Sequence, residues 1–208
     1  MPKLSVSQRK QLAAAAERYA SQVTVAVPYL AARGITTEVA AMHRLGAVHE
    51  PQPADEEYAG RLAIPYVSAS GTVVDIRYRA LTAEQTPKYL SRPNAVARLF
   101  NVTALLTAGS TVVVCEGELD TIIMHSVVGI PAVGVPGANS WKPHFRLLLE
   151  DFERVIVMCD GDQAGRDFGK KIAGELDNAS IVHLPEGMDV TDCYLQYGPE
   201  FLTGRIAA

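Results

Sequence analysis

The sequence is 208 residues long, with 48% hydrophobic and 20% charged residues, three cysteines and a formal net charge of −4. That apolar share suffices to bury a core and excludes disorder as the default, and no apolar run approaches the roughly 18 residues needed to cross a bilayer. Cys115, Cys159 and Cys193 are odd in number, far apart and free of any CxxC or CxxH pair, which excludes a secreted disulfide framework and a zinc ribbon or finger.

In chain order, residues 5–20 predict an amphipathic helix with alanines and Leu12 on one face. Polar residues interrupt its alanine run, so it lacks the continuous apolar stretch of a signal peptide, and a cytoplasmic protein is expected. Residues 24–33 predict a second helix stopped at Gly34. Thr36 or Thr37 then caps a short helix to about Arg44, which Gly46 ends. The proline-rich, acidic run 50–60 predicts an exposed loop. Residues 61–68 and 72–79 predict a hairpin turning at Ser70-Gly71, followed by an irregular stretch 82–94 with Pro87 and Pro93.

From 111 the pattern changes. Apolar strands are predicted at 111–115, 131–135, 154–159 and 179–184, and helices at 119–129, 141–152, 163–177 and 189–197. Strands alternating with helices at this spacing mean a parallel α/β sheet, and continuous apolar strands mean one covered on both faces. The expected domains are an N-terminal α+β subdomain over 1–108 and an α/β domain with a C-terminal helical tail over 109–208.

The charge is unevenly spread. Residues 1–110 carry 12 Lys and Arg against 8 Asp and Glu, a net of +4, whereas residues 111–208 carry 7 against 15, a net of −8. The basic excess lies in one stretch, where Arg77, Arg79, Lys88, Arg92 and Arg98 meet only Glu84. Tyr78 and Tyr89 interleave with these residues, and half-buried strand positions are the plainer reading of both.

The acids of the second half fall where strands end. Glu116 and Glu118 follow the strand VVVC, Asp160 and Asp162 follow VIVMC, and Asp189 and Asp192 follow IVHL after the short loop PEGM. The carboxyl edge of an open α/β sheet is where ligands bind. Carboxylates gathered there repel one another unless a cation neutralises them, and an all-oxygen donor set suits Mg²⁺ or Mn²⁺ rather than Zn²⁺. Any one of these acids alone reads as a solvated loop residue or a helix cap; three clusters at equivalent positions do not. The loop Gly134–Gly137, with Asn139 and Lys142, stays open between a phosphate contact and a plain turn. The run from Gly165 to Lys171 has the wrong spacing for a P-loop.

These residues resemble a family. VVVCEGELD looks like the first motif of the Toprim domain and VIVMCDGDQAGR like its DxD motif. LPEGMDVTDCYL is similar to the third acidic segment of bacterial (DnaG-type) and phage primases. Upstream, PKYLSRP, the hairpin up to Arg79 and the early segment PYLAARGIT resemble the N-terminal part of the same primases, so the likeness covers about residues 25–200. The resemblance implies a Toprim-type parallel sheet flanked by helices, preceded by a small α+β subdomain.

It also implies a DNA primase-like nucleotidyltransferase making short RNA primers from NTPs on single-stranded DNA, in a bacterial cell or a phage-infected host. Glu116 matches the Toprim glutamate, a metal ligand or general acid/base. Asp160 and Asp162 match the metal-binding pair, and Asp189 a further ligand of Mg²⁺ or Mn²⁺. Asp192 is a further candidate ligand, though Asp-Val-Thr-Asp stands where many members have Asp-Pro-Asp. Asp120 matches an acid that supports the site. Lys88, Arg77 and Arg79 match basic positions lining the template and nucleotide groove; Arg92 and Lys142 are added as candidate phosphate contacts. The zinc-binding module and helicase-interacting domain of full primases have no counterpart, so a replicative helicase and a separate zinc-binding module are expected partners. The alternatives are a Toprim phosphodiesterase using the same acids and a non-catalytic accessory module of replication.

Overall fold

A computed structural model describes residues 4–207. The chain divides into two compact units, one up to Val96 and one from Ala97.

In the first unit Ser5 starts the leading helix, α1 (Val6–Ala20), with a reciprocal capping box to Gln8. Leu12, Ala16 and Tyr19, at i, i+4 and i+7, are its buried face. The predicted helix at 24–33 is in fact a 3-10 turn (Val23–Ala26) running into α2 (Val27–Ala31). Pro28 sits in the first turn of α2, where its missing N–H costs no hydrogen bond. Thr36 caps α3 (Thr37–Met42) through the Val39 N–H.

The chain then enters an antiparallel sheet ordered β1 (Gly46–Ala47), β2 (Leu62–Val67), β3 (Val73–Arg79) and β4 (Tyr89–Ser91). Gly46 therefore begins a strand instead of ending a helix. The acidic stretch before β2 folds into a 3-10 helix (Pro53–Tyr58), because Tyr58 is drawn into the core and stacks on Tyr78 at 3.8 Å between ring centroids. The stretch 82–94 contributes β4, since the open edge of β3 takes Tyr89 and Ser91 opposite Arg79 and Arg77. The hairpin turns at Gly71, whose φ of +75° a glycine adopts without strain.

In the second unit the parallel sheet is ordered β6 (Ala132–Gly134), β5 (Thr111–Cys115), β7 (Arg154–Cys159) and β8 (Ala179–His183). Val112, Val114, Val155, Val157 and Cys159 pack with Trp141, Phe145, Phe168 and Ile172 on one face, and the alternating Val113, Ile156 and Met158 are buried as well. Residues 97–108 pack here too: Phe100 pairs with Gly134, and Leu99 joins the core. Helices α4 (Glu118–Ile122, continuing as a π-turn to Val127), α6 (Gln163–Ala173), α7 (Val190–Tyr197) and α8 (Pro199–Ala207) complete the unit. The predicted helix at 141–152 shrinks to α5 (Pro143–Arg146). Beyond it the Asn178 amide donates to the carbonyls of Leu149 and Phe152 at 3.0 and 2.6 Å, supplying locally what a longer helix would have supplied. No helix among the described residues is long and apolar enough to cross a membrane.

A Cβ on Gly46 would lie 2.3 Å from the carbonyl carbon of Tyr19, so β1 and α1 meet at a point only glycine allows. Gly46→Ala is expected to lower stability by about 1–3 kcal/mol, the usual cost of overpacking, seen as a fall in the thermal midpoint. Gly109→Ala, with open space around its Cβ, should leave the midpoint unchanged. A Gly46→Ala variant melting like the parent would contradict this close approach.

Candidate functional site

The strand order of the parallel sheet places its switch point between β5 and β7. The chain leaves β5 toward β6 on one side, then returns to lay β7 on the other side of β5. Ligands of open α/β sheets bind in the crevice that such a reversal opens at the carboxyl ends. Glu116 follows β5 directly and Asp160 follows β7 directly. The two meet there: Glu116 Oε1 accepts the Asp160 N–H at 3.1 Å.

Glycines make this approach possible. A Cβ on Gly165 would fall 2.3 Å from the Asp160 carbonyl oxygen and 2.7 Å from Glu116 Oε1, so the first turn of α6 lies directly against the pair. One turn on, a Cβ on Gly169 would fall 2.4 Å from the Cys159 sulfur. The two glycines, four residues apart on one helix face, seat α6 on the end of β7.

The other predicted acids surround the pair in different roles. Asp162 is the N-cap of α6, its Oδ1 accepting the Gly165 N–H at 2.8 Å. Asp189 caps α7 in the same way, accepting the Asp192 N–H at 2.7 Å, while Asp192 Oδ2 accepts the Asp189 N–H at 3.4 Å. Asp192 is thus committed to a capping box and is exposed. Asp120 Oδ1 accepts both the N–H and the hydroxyl of Thr191, at 3.1 and 2.8 Å, and so ties the first acidic segment to the third. The loop between β8 and α7 is fastened to the DxD turn by two backbone bonds: the Gly161 N–H to the Met188 carbonyl and the Gly187 N–H to the Gly161 carbonyl, each 2.9 Å.

Burial and neighbouring charge raise the proton affinity of Glu116 and Asp160. Burial, then the charges of Asp120, Glu116, Asp189 and Asp162, push the Asp160 carboxyl up to about 8. Burial pushes Glu116 up to about 7; the Asp160 N–H opposes this, and Asp162 and Asp120 add to it. An all-oxygen donor set under such strain fits Mg²⁺ or Mn²⁺. Among the described residues, no three His, Cys, Asp or Glu side chains stand together so as to hold an ion by themselves. An ion held here would take its remaining ligands from water or phosphate oxygens, as Mg²⁺ sites commonly do.

The predicted basic residues lie mostly in the first unit. Arg77 and Arg79 share one face of β3, two residues apart. The guanidinium of Arg77 lies 4.0 Å from the Tyr89 ring centroid. Arg79 donates to the hydroxyls of Tyr29, at 2.6 Å, and Tyr89. Tyr78, by contrast, is fully buried in the core. Lys88 is exposed, its carbonyl accepting the Ala80 N–H at 2.8 Å, and Arg92 is half-buried. In the second unit Lys142 is exposed at the start of α5. Four contributors escaped the sequence reading. Thr191 and Tyr29 find their partners across long separations. Gly165 and Gly169 did carry a signal, two glycines one turn apart within a helix that follows a DxD.

Comparison with known proteins agrees with this geometry. Residues 113–194 match the family model described as Toprim-like. The gene 57 protein of Mycobacterium phage D29 is 42% identical over 153 residues, covering 72% of this chain and 99% of that protein. The DNA primase of Legionella pneumophila is 26% identical over 216 residues, covering 86% of this chain but only 36% of the primase, so the chain spans about a third of that relative's length. The RNA polymerase domain of Mycobacterium tuberculosis primase DnaG superposes with a TM-score of 0.82 at 25% identity, covering 98% of this chain and 84% of that one. A DnaG primase catalytic domain solved bound to single-stranded DNA has the same fold, with a TM-score of 0.80 at 21% identity, covering 96% of this chain and 77% of that one. This is a Toprim-domain protein built on the fold of the primase catalytic core. The chain belongs to the same family as the gene 57 protein of Mycobacterium phage D29.

The raised pKa values set a sign for stability. The unfolded chain sheds these protons near pH 4, and the fold holds them to about 7 and 8. The folded state therefore binds more protons between those limits. Its stability is full below pH 4 on this count and is lost as pH rises through 8. With a chelator present, Asp160→Asn should be more stable than the parent at pH 8.5, by on the order of 1 kcal/mol or more, and nearly equal to it near pH 3, both read from the thermal midpoint. Equal midpoints at both pH values would show that neither burial nor neighbouring charge raises the Asp160 carboxyl.

Proposed function

We propose that this chain is the catalytic core of a primase-type nucleotidyltransferase, which joins NTPs into short RNA primers on a single-stranded DNA template. The observation that carries this reading is the meeting of Glu116 and Asp160 at the switch point of a Toprim sheet, within a chain that has the primase-core fold throughout. The family's DNA-bound relative supports a nucleic-acid template, and the general dependence of Toprim domains on divalent metal supports Mg²⁺ or Mn²⁺.

Primer synthesis needs a 3′-hydroxyl made nucleophilic near pH 7 and a pyrophosphate whose charge is held as it leaves. Divalent ions, when bound, supply positive charge that lowers the hydroxyl's pKa and steadies the pyrophosphate. Asp160 and Asp162 are the side chains that hold them, with Asp189 contributing from the start of α7. Glu116, held up to about 7, takes the hydroxyl proton. Asp120 acts through Thr191, keeping the third segment in register with the first. Arg77, Arg79, Lys88, Arg92 and Lys142 bind phosphates of template and nucleotide as planar or point-charge partners. All of these basic residues except Lys142 lie in the first unit, and the acids lie in the second. A zinc-binding module and a replicative helicase are further partners in this reading, in the cytoplasm of a bacterial or phage-infected cell.

The test is an incubation of the chain with labelled NTPs, single-stranded templates and Mg²⁺ or Mn²⁺. Short oligoribonucleotides are expected. Product should vanish with a chelator, and Asp160→Asn or Glu116→Gln should lower it at least about 100-fold, the scale on which losing one charge-stabilising group acts. Shortened template strands in place of new oligomers would establish a phosphodiesterase. No turnover, with both variants complementing in the cell, would establish an accessory module.

A further inference from the structure

Five side chains of the first unit form an unbroken alternation of guanidinium and phenol. The Arg33 guanidinium lies 3.7 Å from the Tyr29 ring centroid. The Tyr29 hydroxyl accepts Arg79 Nε at 2.6 Å. Arg79 donates in turn to the Tyr89 hydroxyl, its guanidinium 5.2 Å from that ring. Arg77 closes the series at 4.0 Å from the same ring. Arg33 and Arg79 are thus seated against two aromatic partners with Arg77 beside them, none of the five fully buried.

Tyrosine is an unusual choice for gathering arginines. A carboxylate would hold a guanidinium as firmly but cancel its charge. A phenol, neutral near pH 7, supplies a ring face and one oxygen acceptor and leaves the charge intact. The arrangement fixes three flexible side chains in advance, so less rotamer freedom is lost when they meet an anion. Planar guanidiniums pre-set in this way match phosphate oxygens, whether of a phosphodiester strand or of a nucleoside triphosphate.

We infer that Tyr29 is a positioning residue for phosphate binding, fixing Arg79 through its hydroxyl and Arg33 through its ring. The inference rests on the primase-type reading and adds a residue to it. Tyr29 does not touch the substrate; it acts through the two arginines it holds.

The experiment compares the whole chain with Tyr29→Phe, Tyr29→Leu and Arg79→Ala. Strand affinity is read by fluorescence anisotropy on a labelled oligothymidylate at several salt concentrations, and nucleotide affinity from NTP titration. Tyr29→Phe keeps the ring and loses the acceptor. It should weaken phosphate binding about fivefold, the effect of one hydrogen bond, with an unchanged melting temperature and an unchanged slope against log salt. Tyr29→Leu should weaken it further. Arg79→Ala should reduce the salt slope by about one contact. Loss confined to the oligonucleotide identifies strand phosphates as the ligand; loss confined to NTP identifies the triphosphate. Wild-type affinity in both Tyr29 variants would overturn the inference while leaving the primase reading intact. A parent chain that binds neither oligonucleotide nor NTP would overturn both. Binding with the predicted Tyr29 effect but no primer synthesis would sink the primase reading alone.

Discussion

The constraint on which the second unit turns is electrostatic. Laying β7 beside β5 brings the ends of two strands together, and each end delivers a carboxylate. Separated in sequence by more than forty residues, Glu116 and Asp160 share one crevice, where burial first, and then the charges of Asp120 and Asp162, raise the proton affinity of both, with Asp189 adding to that of Asp160. A fold that only needed stability would place apolar or oppositely charged groups there. Accepting this repulsion is intelligible where the cluster works on a cation and a polyphosphate, and strain held at a site is a common trade of stability for function.

The surrounding structure holds the acids in place against that repulsion. Asp162 and Asp189 are each fixed by capping a helix, so one oxygen of each is occupied by backbone N–H groups. Asp120 is pinned by Thr191. The DxD turn is bonded to the loop before α7, and Gly161 is so close to Pro185 that a Cβ would overlap its carbonyl oxygen. The site is pre-set, and the remaining carboxylate oxygens are what it offers to a ligand.

Much of this was legible in the residues themselves. The strands of the parallel sheet are continuous apolar runs, and burial on both faces requires that pattern. The acids announce themselves by following those runs immediately. What was not legible depended on distant partners. The helix expected at 141–152 is cut short where Asn178 takes over carbonyl groups. β4 exists because β3 presents an open edge, though Pro87 and Pro93 flank it. Tyr29 meets Arg79 across fifty residues, and no local period encodes that meeting. The glycines of α6 were visible but ambiguous; only packing shows that they let the helix touch Asp160 and Cys159.

The most direct test of the central claim is proton counting during metal binding. Calorimetric titration of Mg²⁺ or Mn²⁺ into the protein, repeated in buffers of different ionisation enthalpy, reads the protons released per ion. Carboxyls held up to about 7 and 8 should release on the order of one proton per ion at pH 7 and almost none at pH 9, because ligands must shed their protons to coordinate. That release should disappear when Glu116 and Asp160 are both amides. Binding with no proton release at pH 7, or release that persists without these two carboxylates, would contradict the account.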